Sequence, residues 1–132
     1  MHTFKKLVTL LKLFTVSWLQ RNQVSIRAFL VIYMVQCNRC NLQYIGETKR
    51  RLKDRFNEHR RAVDKTNIKS KPTTVSEHFL SHSNHSHTDM QLIPLQKIHS
   101  SRDSVRKARE SHLINKAMTL EPHGLNRRDE LL

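Results

Sequence analysis

The sequence predicts a small α+β domain in which helices cover a sheet, and three observations lead to that prediction. Two short runs rich in β-branched and aromatic residues lie close together, at 29–36 and 42–47. A stretch with apolar residues at helical spacing follows them at 48–63. A further strand-like run and a further helical run come after these, so the order is β-β-α-(α)-β-α, which is typical of the α+β class.

The first two strands form a predicted antiparallel hairpin whose turn contains both cysteines of the chain. FLVIYMVQ at 29–36 predicts a buried strand, and LQYIGE at 42–47 predicts its partner. The C-N-R-C segment between them supplies the turn. The hairpin therefore places Tyr33 and Tyr44 on adjacent strands.

The next segment, TKRRLKDRFNEHRRAV at 48–63, predicts a helix that Thr48 caps at its N-terminus. Four residues at 4-3-4 spacing trace one face of this helix: Leu52, Phe56, His59 and Val63. Residues 64–72 are polar and basic and have no periodicity, which predicts a loop.

A shorter helix follows this loop. Thr74 and Glu77 have the spacing of a capping box, which predicts that the helix begins there. The segment SHSNHSH at 81–87 is rich in serine and histidine and predicts a second loop.

The chain ends with a third strand and a last helix. MQLIPLQKI at 90–98 predicts the strand, and Pro94 within it indicates an edge position or a bulge, because proline has no N–H to donate. The last helix is predicted to begin near Ser100 or Ser101 and to end before Gly124.

Positive charge is the strongest compositional feature of the chain. Its 132 residues include 24 Lys and Arg against 11 Asp and Glu, a formal net charge of +13. Such a chain attracts polyanions, because neutralising phosphates releases their condensed counterions. The simpler alternative is a basic protein without such a partner. The length indicates a single domain, and no apolar run reaches the roughly 18 residues of a membrane span.

The N-terminal region carries an apolar seam of its own. Phe4, Leu7, Leu11, Phe14 and Trp18 fall at 3-4-3-4 spacing, which predicts an amphipathic helix within residues 1–28. Residues 1–46 contain six Lys or Arg and no Asp or Glu, a composition that also suits a transit peptide. The preferred interpretation is a docking helix left from a longer polypeptide.

Five motifs in order give the chain a resemblance to the GIY-YIG endonucleases over residues 29–128: Val31-Ile32-Tyr33, Tyr44-Ile45-Gly46, Arg55 with His59, Glu110, and Asn126. The C-x-x-C between the two tyrosine motifs looks most like the version in Penelope-like retroelements. The resemblance implies a three-stranded antiparallel sheet flanked by helices, with residues 1–28 as an N-terminal extension and 129–132 as a tail. It also implies DNA as the substrate and a reverse transcriptase in the parent element.

Two positions depart from the pattern of that family. Val31 stands where the first motif has its glycine, and it either crowds the adjacent tyrosine or is absorbed by the strand. The spacing from Tyr44 to the arginine is one residue longer than expected, which makes Arg51 a second candidate. Arg55 is preferred because Arg55 and His59 are four residues apart and share a helix face.

The resemblance implies an active site of six residues: Tyr33, Tyr44, Arg55, His59, Glu110 and Asn126. Glu110 would bind one Mg²⁺ or Mn²⁺, and Arg55 would bind phosphate oxygens. The two tyrosines and the histidine would position or deprotonate the water, with Arg55 and the metal lowering a tyrosine pKa. Asn126 would contact phosphate or orient the site.

Each of these residues also has a simpler role open to it. In that case the tyrosines are ordinary aromatic residues of the strands, and His59 is a histidine of the core. Arg55 would then belong to a solvated basic helix, and Glu110 would only pair with Arg106.

The two cysteines need two further ligands if they hold zinc in a tetrahedral site. The histidine-rich stretch offers four candidates, His78, His82, His85 and His87, and the pattern of the resembling family favours His78 and His85. Such a site would clip the hairpin tip to the short helix. The alternatives are a reduced, unliganded C-x-x-C and a redox pair.

Two functions from different classes follow. The first is a metal-dependent DNA endonuclease, nuclear if it acts on chromosomal DNA. The second is a catalytically inactive, zinc-stabilised DNA- or RNA-binding remnant of such a domain. If the N-terminal seam is a targeting segment, mitochondria are the alternative location.

Overall fold

A computed structural model describes residues 24–64 and 73–130 of the chain. Its helices and strands follow one another as β1 (Val31–Cys37), β2 (Gln43–Thr48), α1 (Leu52–Ala62), α2 (Thr74–Leu80), β3 (Met90–Lys97) and α3 (Asp103–Ala117). The α+β class with three strands and three helices is therefore confirmed. Most of the predicted N-terminal helix, residues 1–23, and nearly all of the predicted basic loop, residues 65–72, lie outside the described residues.

The three strands form one antiparallel sheet in the order β2-β1-β3. Strand β1 is central, so both of its edges are paired. In the hairpin register, Tyr33 lies opposite Gly46 and Val35 lies opposite Tyr44. The two tyrosines are thus diagonal neighbours on one face of the sheet, because side chains two residues apart along a strand point the same way.

Strand β3 lies at the edge of the sheet and carries a bulge. Tyr33 pairs with Pro94, whereas the preceding residue Ile32 pairs with Gln96, so the register shifts by one residue between them. The edge position and the bulge predicted from Pro94 are both confirmed, since proline cannot complete a regular ladder.

Strand β1 separates two apolar clusters and is buried on both faces. Val31, Tyr33, Val35 and Cys37 belong to one cluster with residues of α1 and α2. Ile32 and Met34 belong to the other cluster, with residues of α3. Burial on both faces explains why the strand is a continuous apolar run and does not alternate.

Val31 lies inside the first of these clusters. It is fully buried, as are Leu52 and Val75 in the same cluster. The core of the sheet therefore has room for the valine side chain at the position where the resembling family has a glycine.

The predicted start of the first helix is wrong. Thr48 ends β2, and its hydroxyl accepts a hydrogen bond from the backbone N–H of Arg50 at 3.1 Å. Helix α1 begins at Leu52, and its N-cap residue Arg51 has no side-chain cap. The pairing of Thr48 with Val31 across the sheet outweighs its capping propensity. The predicted apolar face holds, because Leu52, His59 and Val63 are buried.

The caps of the other two helices are also shifted from their predicted positions. Helix α2 is capped by Thr73, which forms a capping box with Ser76 in place of the predicted Thr74 and Glu77. Helix α3 begins at Asp103, and the hydroxyl of Ser100 accepts from the N–H of Arg102 in the turn before it. Serine and threonine are close together at both places, so sequence alone places the cap within one to three residues.

After α3 the chain returns to the free edge of β2. The N–H of Leu125 donates to the carbonyl of Gln43 at 2.8 Å, and Leu120 and Asn126 form an isolated bridge. Gly124 makes this return possible, because a Cβ there would lie 2.3 Å from the carbonyl oxygen of Thr119. Across the described parts of the chain, no helix is long and apolar enough to cross a membrane.

Candidate active site and metal centre

Three of the predicted site residues meet around one hydroxyl group. The Oη of Tyr33 lies 2.8 Å from Nε2 of His59, and Nε of Arg55 donates to the same oxygen at 3.2 Å. A guanidinium group can only donate, so the phenol oxygen accepts from Arg55, and its proton is free to be shared with Nε2 of His59. Nδ1 of His59 is buried and has no hydrogen-bond partner among the described residues.

Burial keeps both the tyrosine and the histidine of this group uncharged. Burial raises the pKa of Tyr33 to about 12, and the charge of Arg55 opposes this rise without overcoming it. Burial, followed by the charge of Arg55, lowers the pKa of His59 to about 3. Desolvation exceeds the effect of Arg55, so Arg55 by itself does not lower the pKa of Tyr33. The lowering of a tyrosine pKa by Arg55 together with a metal stays a prediction.

Tyr44 completes the aromatic part of the site. Its ring lies edge-on to His59 with the centroids 6.1 Å apart, and the ring of Tyr33 lies 5.7 Å from the same histidine. Tyr44 is half-buried, whereas Tyr33 and His59 are buried. The accessible surface of the site is therefore formed by Tyr44 and by the half-buried Arg55.

Gly46 is required by the close packing of the two tyrosines. A Cβ at this position would lie 2.6 Å from Oη of Tyr33 and 2.9 Å from Cε1 of Tyr44. Both rings are held by their neighbours, so neither could move aside without leaving His59. The close contacts therefore explain why the second tyrosine motif has a glycine at this position: a larger residue would clash with both tyrosine rings.

Glu58 holds Arg55 in place and was not predicted from the sequence. Its carboxylate accepts from Nη1 of Arg55 at 2.8 Å and also pairs with Arg50. Its hydrogen bonds, first from Arg50 and then from Arg55, lower the pKa of Glu58 to about 2, so it is charged at any working pH. The i,i+3 spacing of Arg55 and Glu58 on the helix was the available indication.

The other arginine candidate lies elsewhere. The guanidinium of Arg51 sits 5.3 Å from the centroid of the Phe29 ring, before the start of α1. Arg55, one turn later, is the residue that reaches Tyr33. Sharing a helix face with His59 was thus the correct criterion for choosing between them.

Glu110 lies half-buried on α3, and its negative charge contributes to the raised pKa of Tyr33. One turn earlier, Arg106 is only 4% exposed; it pairs with Glu47, the residue after Gly46, and donates to Asp103 at 2.9 Å. This buried ion pair ties the helix of Glu110 to the strand of the second tyrosine motif. No periodicity in the sequence indicates it, since the partners are 59 residues apart.

Asn126 lies fully buried against the outer edge of β2. Its Oδ1 accepts from the N–H of Ile45 at 2.8 Å and from the hydroxyl of Thr119 at 2.7 Å. Its Nδ2 donates to the carbonyl of Ile45 at 2.9 Å. Of the two roles open to Asn126, these contacts match orientation of the site, because a buried amide does not reach a phosphate in solution.

The four predicted zinc ligands converge at the tip of the hairpin. The ligand atoms of Cys37, Cys40, His78 and His85 all lie within 4.8 Å of one another. Sγ of Cys40 is 3.1 Å from Nε2 of His85. Ligands about 2.0–2.3 Å from a tetrahedral ion are separated by about 3.3–3.8 Å, so small side-chain movements would close the site.

Two further observations fit a metal at this cluster. Nε2 of His78 is buried and has no hydrogen-bond partner among the described residues. Burial, and then the neighbouring His82 and His85, lower the pKa of His78 to about 4, which favours the neutral imidazole that binds metals. Burial, and then Cys37, raise the pKa of the Cys40 thiol, the opposite of what a reactive redox cysteine needs.

The remaining histidines of the loop lie outside this group of four. His82 is exposed, stacks on His85 with the centroids 4.4 Å apart, and has its Nδ1 2.8 Å from the carbonyl oxygen of His78. His87 is exposed in a 3-10 turn, His87–Asp89. The last residue of that turn, Asp89, forms an ion pair with Arg39 of the C-x-x-C turn at 3.0 Å.

Comparison with known proteins identifies one relationship. The family model described as the GIY-YIG catalytic domain matches residues 29–123, which is well over half of the chain. No curated protein and no solved structure matches.

Proposed function

We propose that this chain, which belongs to the GIY-YIG family, is a metal-dependent endonuclease that cuts DNA by hydrolysing phosphodiester bonds. Membership of this family of nucleases indicates nuclease activity and a DNA substrate. The observation that carries the proposal for this copy is the shared hydroxyl of Tyr33, which contacts both His59 and Arg55.

The contacts support a different role for each residue of the site. Arg55 and Tyr44 form its accessible surface, and the guanidinium of Arg55 offers a permanent charge to the phosphate. Tyr44 would position the attacking water at this surface, and Tyr33 with His59 would hold Arg55 and Tyr44 in place behind it. As the water attacks phosphorus it loses a proton, the phosphorus–oxygen bond to the leaving nucleotide breaks, and the leaving oxygen takes up a proton from solvent.

Glu110 is the proposed ligand of a catalytic Mg²⁺ or Mn²⁺. Its carboxylate is the hard oxygen donor that these ions prefer, and it lies near enough to Tyr33 to affect the pKa of that hydroxyl. When bound, the ion would polarise the scissile phosphate and stabilise the leaving oxygen. The ion pair of Arg106 with Glu47 would hold this carboxylate toward the hairpin.

The cysteine–histidine cluster is the proposed site of a structural Zn²⁺. Two thiolates and two imidazoles form a common donor set for tetrahedral zinc. The ion would join the hairpin tip to α2 and to the loop that follows α2, and its binding energy would add to a small core. The C-x-x-C between the tyrosine motifs also supports the finer proposal that the domain is of the Penelope-like retroelement type. That type implies a reverse transcriptase in the parent element and action on nuclear DNA.

Val31 supports a second candidate function, a zinc-stabilised DNA- or RNA-binding domain without catalysis. Val31 stands near Tyr33 where the family motif has glycine. If its side chain displaced the tyrosine slightly, the reaction would stop although the domain still folded. Val31 is fully buried within the apolar cluster on its own face of the sheet, which is why the active enzyme is the first proposal.

A nicking experiment on supercoiled plasmid tests the two functions against each other. The purified chain, Glu110→Ala and Lys116→Ala are incubated with Mg²⁺, Lys116 being an exposed residue of the same helix. The expected result is nicking by the wild type and by Lys116→Ala, and none by Glu110→Ala or with excess chelator. DNA binding by a folded wild type without nicking would establish the second function, and equal nicking by all three proteins would remove support for the site.

A further inference from the structure

A cleft of about 680 Å³ opens between the end of α1 and the loop that follows α2. Helices α1 and α2 cover the same face of the sheet as Tyr33, so the cleft is on the active-site side of the molecule. Its polar lining includes Asn57, Arg60, Arg61, Asn84, His85 and His87.

The lining of this cleft has the chemistry of a phosphate-binding surface. Arg60 and Arg61 are exposed on the wall that α1 forms, and their guanidinium groups are permanently charged. Asn57 and Asn84 add amide donors on opposite walls. Among the described lining residues Asp64 is the acidic one, so positive charge prevails.

The cleft lies beyond Arg55 along the same helix. Arg60 and Arg61 follow Arg55 by five and six residues, which places them about 8–9 Å farther along the helix axis and about 120–140° around it. The cleft is therefore a surface separate from that of Arg55, on the same side of the sheet.

We propose that the cleft binds the sugar–phosphate backbone of the DNA on one side of the scissile bond. The proposal rests on the proposed function and deepens it by assigning a backbone-binding surface to residues outside the family's motifs. Contacts of this kind fix the position of the duplex and are insensitive to its base sequence.

His85 connects this surface with the metal centre. It lines the cleft, and it is also one of the four residues whose ligand atoms converge at the hairpin tip. Asn84 is hydrogen-bonded to Nδ1 of His85 at 2.9 Å and lines the cleft beside it. The cysteine–histidine cluster therefore determines where one wall of the cleft stands, and a metal there supports substrate binding apart from any effect on the chemistry.

The salt dependence of DNA binding tests the proposal without relying on cleavage. Fluorescence anisotropy of a labelled duplex is followed in Mg²⁺-free buffer over a range of salt concentrations. The logarithm of the affinity falls by about 0.9 per phosphate contact for each tenfold rise in salt. Arg60→Ala with Arg61→Ala should therefore reduce the slope by about 2, whereas Arg60→Lys with Arg61→Lys should retain it.

The matched control removes the same charge from the opposite layer. Arg102→Ala with Lys116→Ala removes two exposed charges near the ends of α3, eight and six residues from Glu110, and should leave the slope unchanged. Equal reductions in both double variants would mean that net charge alone acts, and an unchanged slope in the α1 variant would mean that no backbone lies in the cleft. Competition by polyglutamate as effective as competition by DNA would assign the cleft to an acidic protein and overturn the proposal.

The link to the metal centre is tested by a third combination. At a temperature where circular dichroism shows Cys40→Ser to be folded, this variant should lower the slope by a similar amount. Adding it to the α1 double variant should then lower the slope little further, because both act on one surface. Additive reductions would separate the cluster from the cleft. Nicking by the wild type with no slope change in the α1 variant would overturn the cleft and keep the nuclease, and the converse result would keep the cleft and overturn the nuclease.

Discussion

The tyrosine site and the cysteine–histidine cluster are built on the same strand but are completed in different ways. Tyr33 and Cys37 lie four residues apart on one face of β1, and each meets a histidine from a following helix or loop. The hydroxyl of Tyr33 has its partners within the polypeptide, in His59 and Arg55. The cluster instead gathers four donors around one point. Among the described residues, each region leaves one buried imidazole nitrogen without a partner, Nδ1 of His59 and Nε2 of His78, but only Nε2 of His78 lies among four converging metal-ligand atoms.

This difference predicts separate physical roles for the two regions. A hydroxyl that two side chains of the protein already hold is preorganised, and its loss should affect the rate of reaction more than folding. A cluster of converging donors gains its energy from an ion, and its loss should affect folding and substrate positioning. Variants that change one property without the other test the distinction.

The largest expected effect is the loss of stability on disrupting the cluster. Cys40→Ser should lower the free energy of unfolding by about 5 kcal/mol, because metal binding energy is folding energy at such sites. Chemical denaturation with and without added Zn²⁺ measures it. His82→Ala is the control, since His82 stacks on His85 but is outside the four. A cluster that is only a polar loop would give both variants the same small loss.

The next effect is a loss of reaction rate without a loss of stability. Arg55→Ala should reduce the nicking rate about 1,000-fold, or about 4 kcal/mol, because a preorganised charge at the phosphate is removed. Arg51→Ala removes the same charge four residues earlier, beside Phe29, and should change the rate little. Equal rates for the two variants would contradict the assignment of Arg55, and a large fall in its unfolding midpoint would contradict the separation of roles.

A smaller loss of rate is expected from the steric requirement at Gly46. Gly46→Ala should reduce the nicking rate about 100-fold, because its Cβ would displace the hydroxyl of Tyr33 from His59. Plasmid nicking under single-turnover conditions measures the change. Ile45→Val, the adjacent residue facing the α3 cluster, is the control and should keep its rate. Full activity of Gly46→Ala would show that the contact between the two tyrosines is not needed.

The smallest effect is the pH dependence of stability that His59 confers. Its pKa falls from about 6.5 in the unfolded chain to about 3 in the folded protein, so the unfolded chain binds more protons below neutral pH. The stability that the neutral imidazole contributes is present above pH 6.5 and is lost as the pH falls. Between pH 7 and pH 5 the loss should be about 2 kcal/mol.

Urea denaturation at these two pH values measures the pH dependence of stability, and His59→Gln should reduce it by about 2 kcal/mol. The part contributed by His78, whose pKa burial also lowers, should remain. A wild-type pH dependence that His59→Gln leaves unchanged would mean that another group carries it. This window lies above the ordinary pKa range of Asp and Glu, so the carboxylates contribute little to it.

The candidate residues of the site could be proposed from the sequence because helical spacing and the motif order of the resembling family pointed to particular positions. The choice of Arg55 over Arg51 followed from the helical repeat, and His78 and His85 followed from the spacing of the resembling family. The caps at Thr48 and Thr74 were misplaced, because neighbouring threonines and serines have similar propensities and tertiary pairing decides between them. The contacts of Glu58 and the pairing of Arg106 with Glu47 were missed, since charged residues on helices usually face solvent.

The sequence by itself determined the α+β class, a buried first strand and the hairpin with its C-x-x-C tip. Those features depend on local periodicity and composition, which every segment carries within itself. The residues of both clusters were proposed from the resemblance to a family, since no local pattern singles them out. Tertiary structure alone decided that burial raises the pKa of Tyr33 to about 12, which keeps it protonated. It also decided that the side-chain amide of Asn126 forms two hydrogen bonds with the backbone of Ile45. Desolvation and long-range hydrogen bonds exist only once distant segments meet, and for that reason no single segment predicts them.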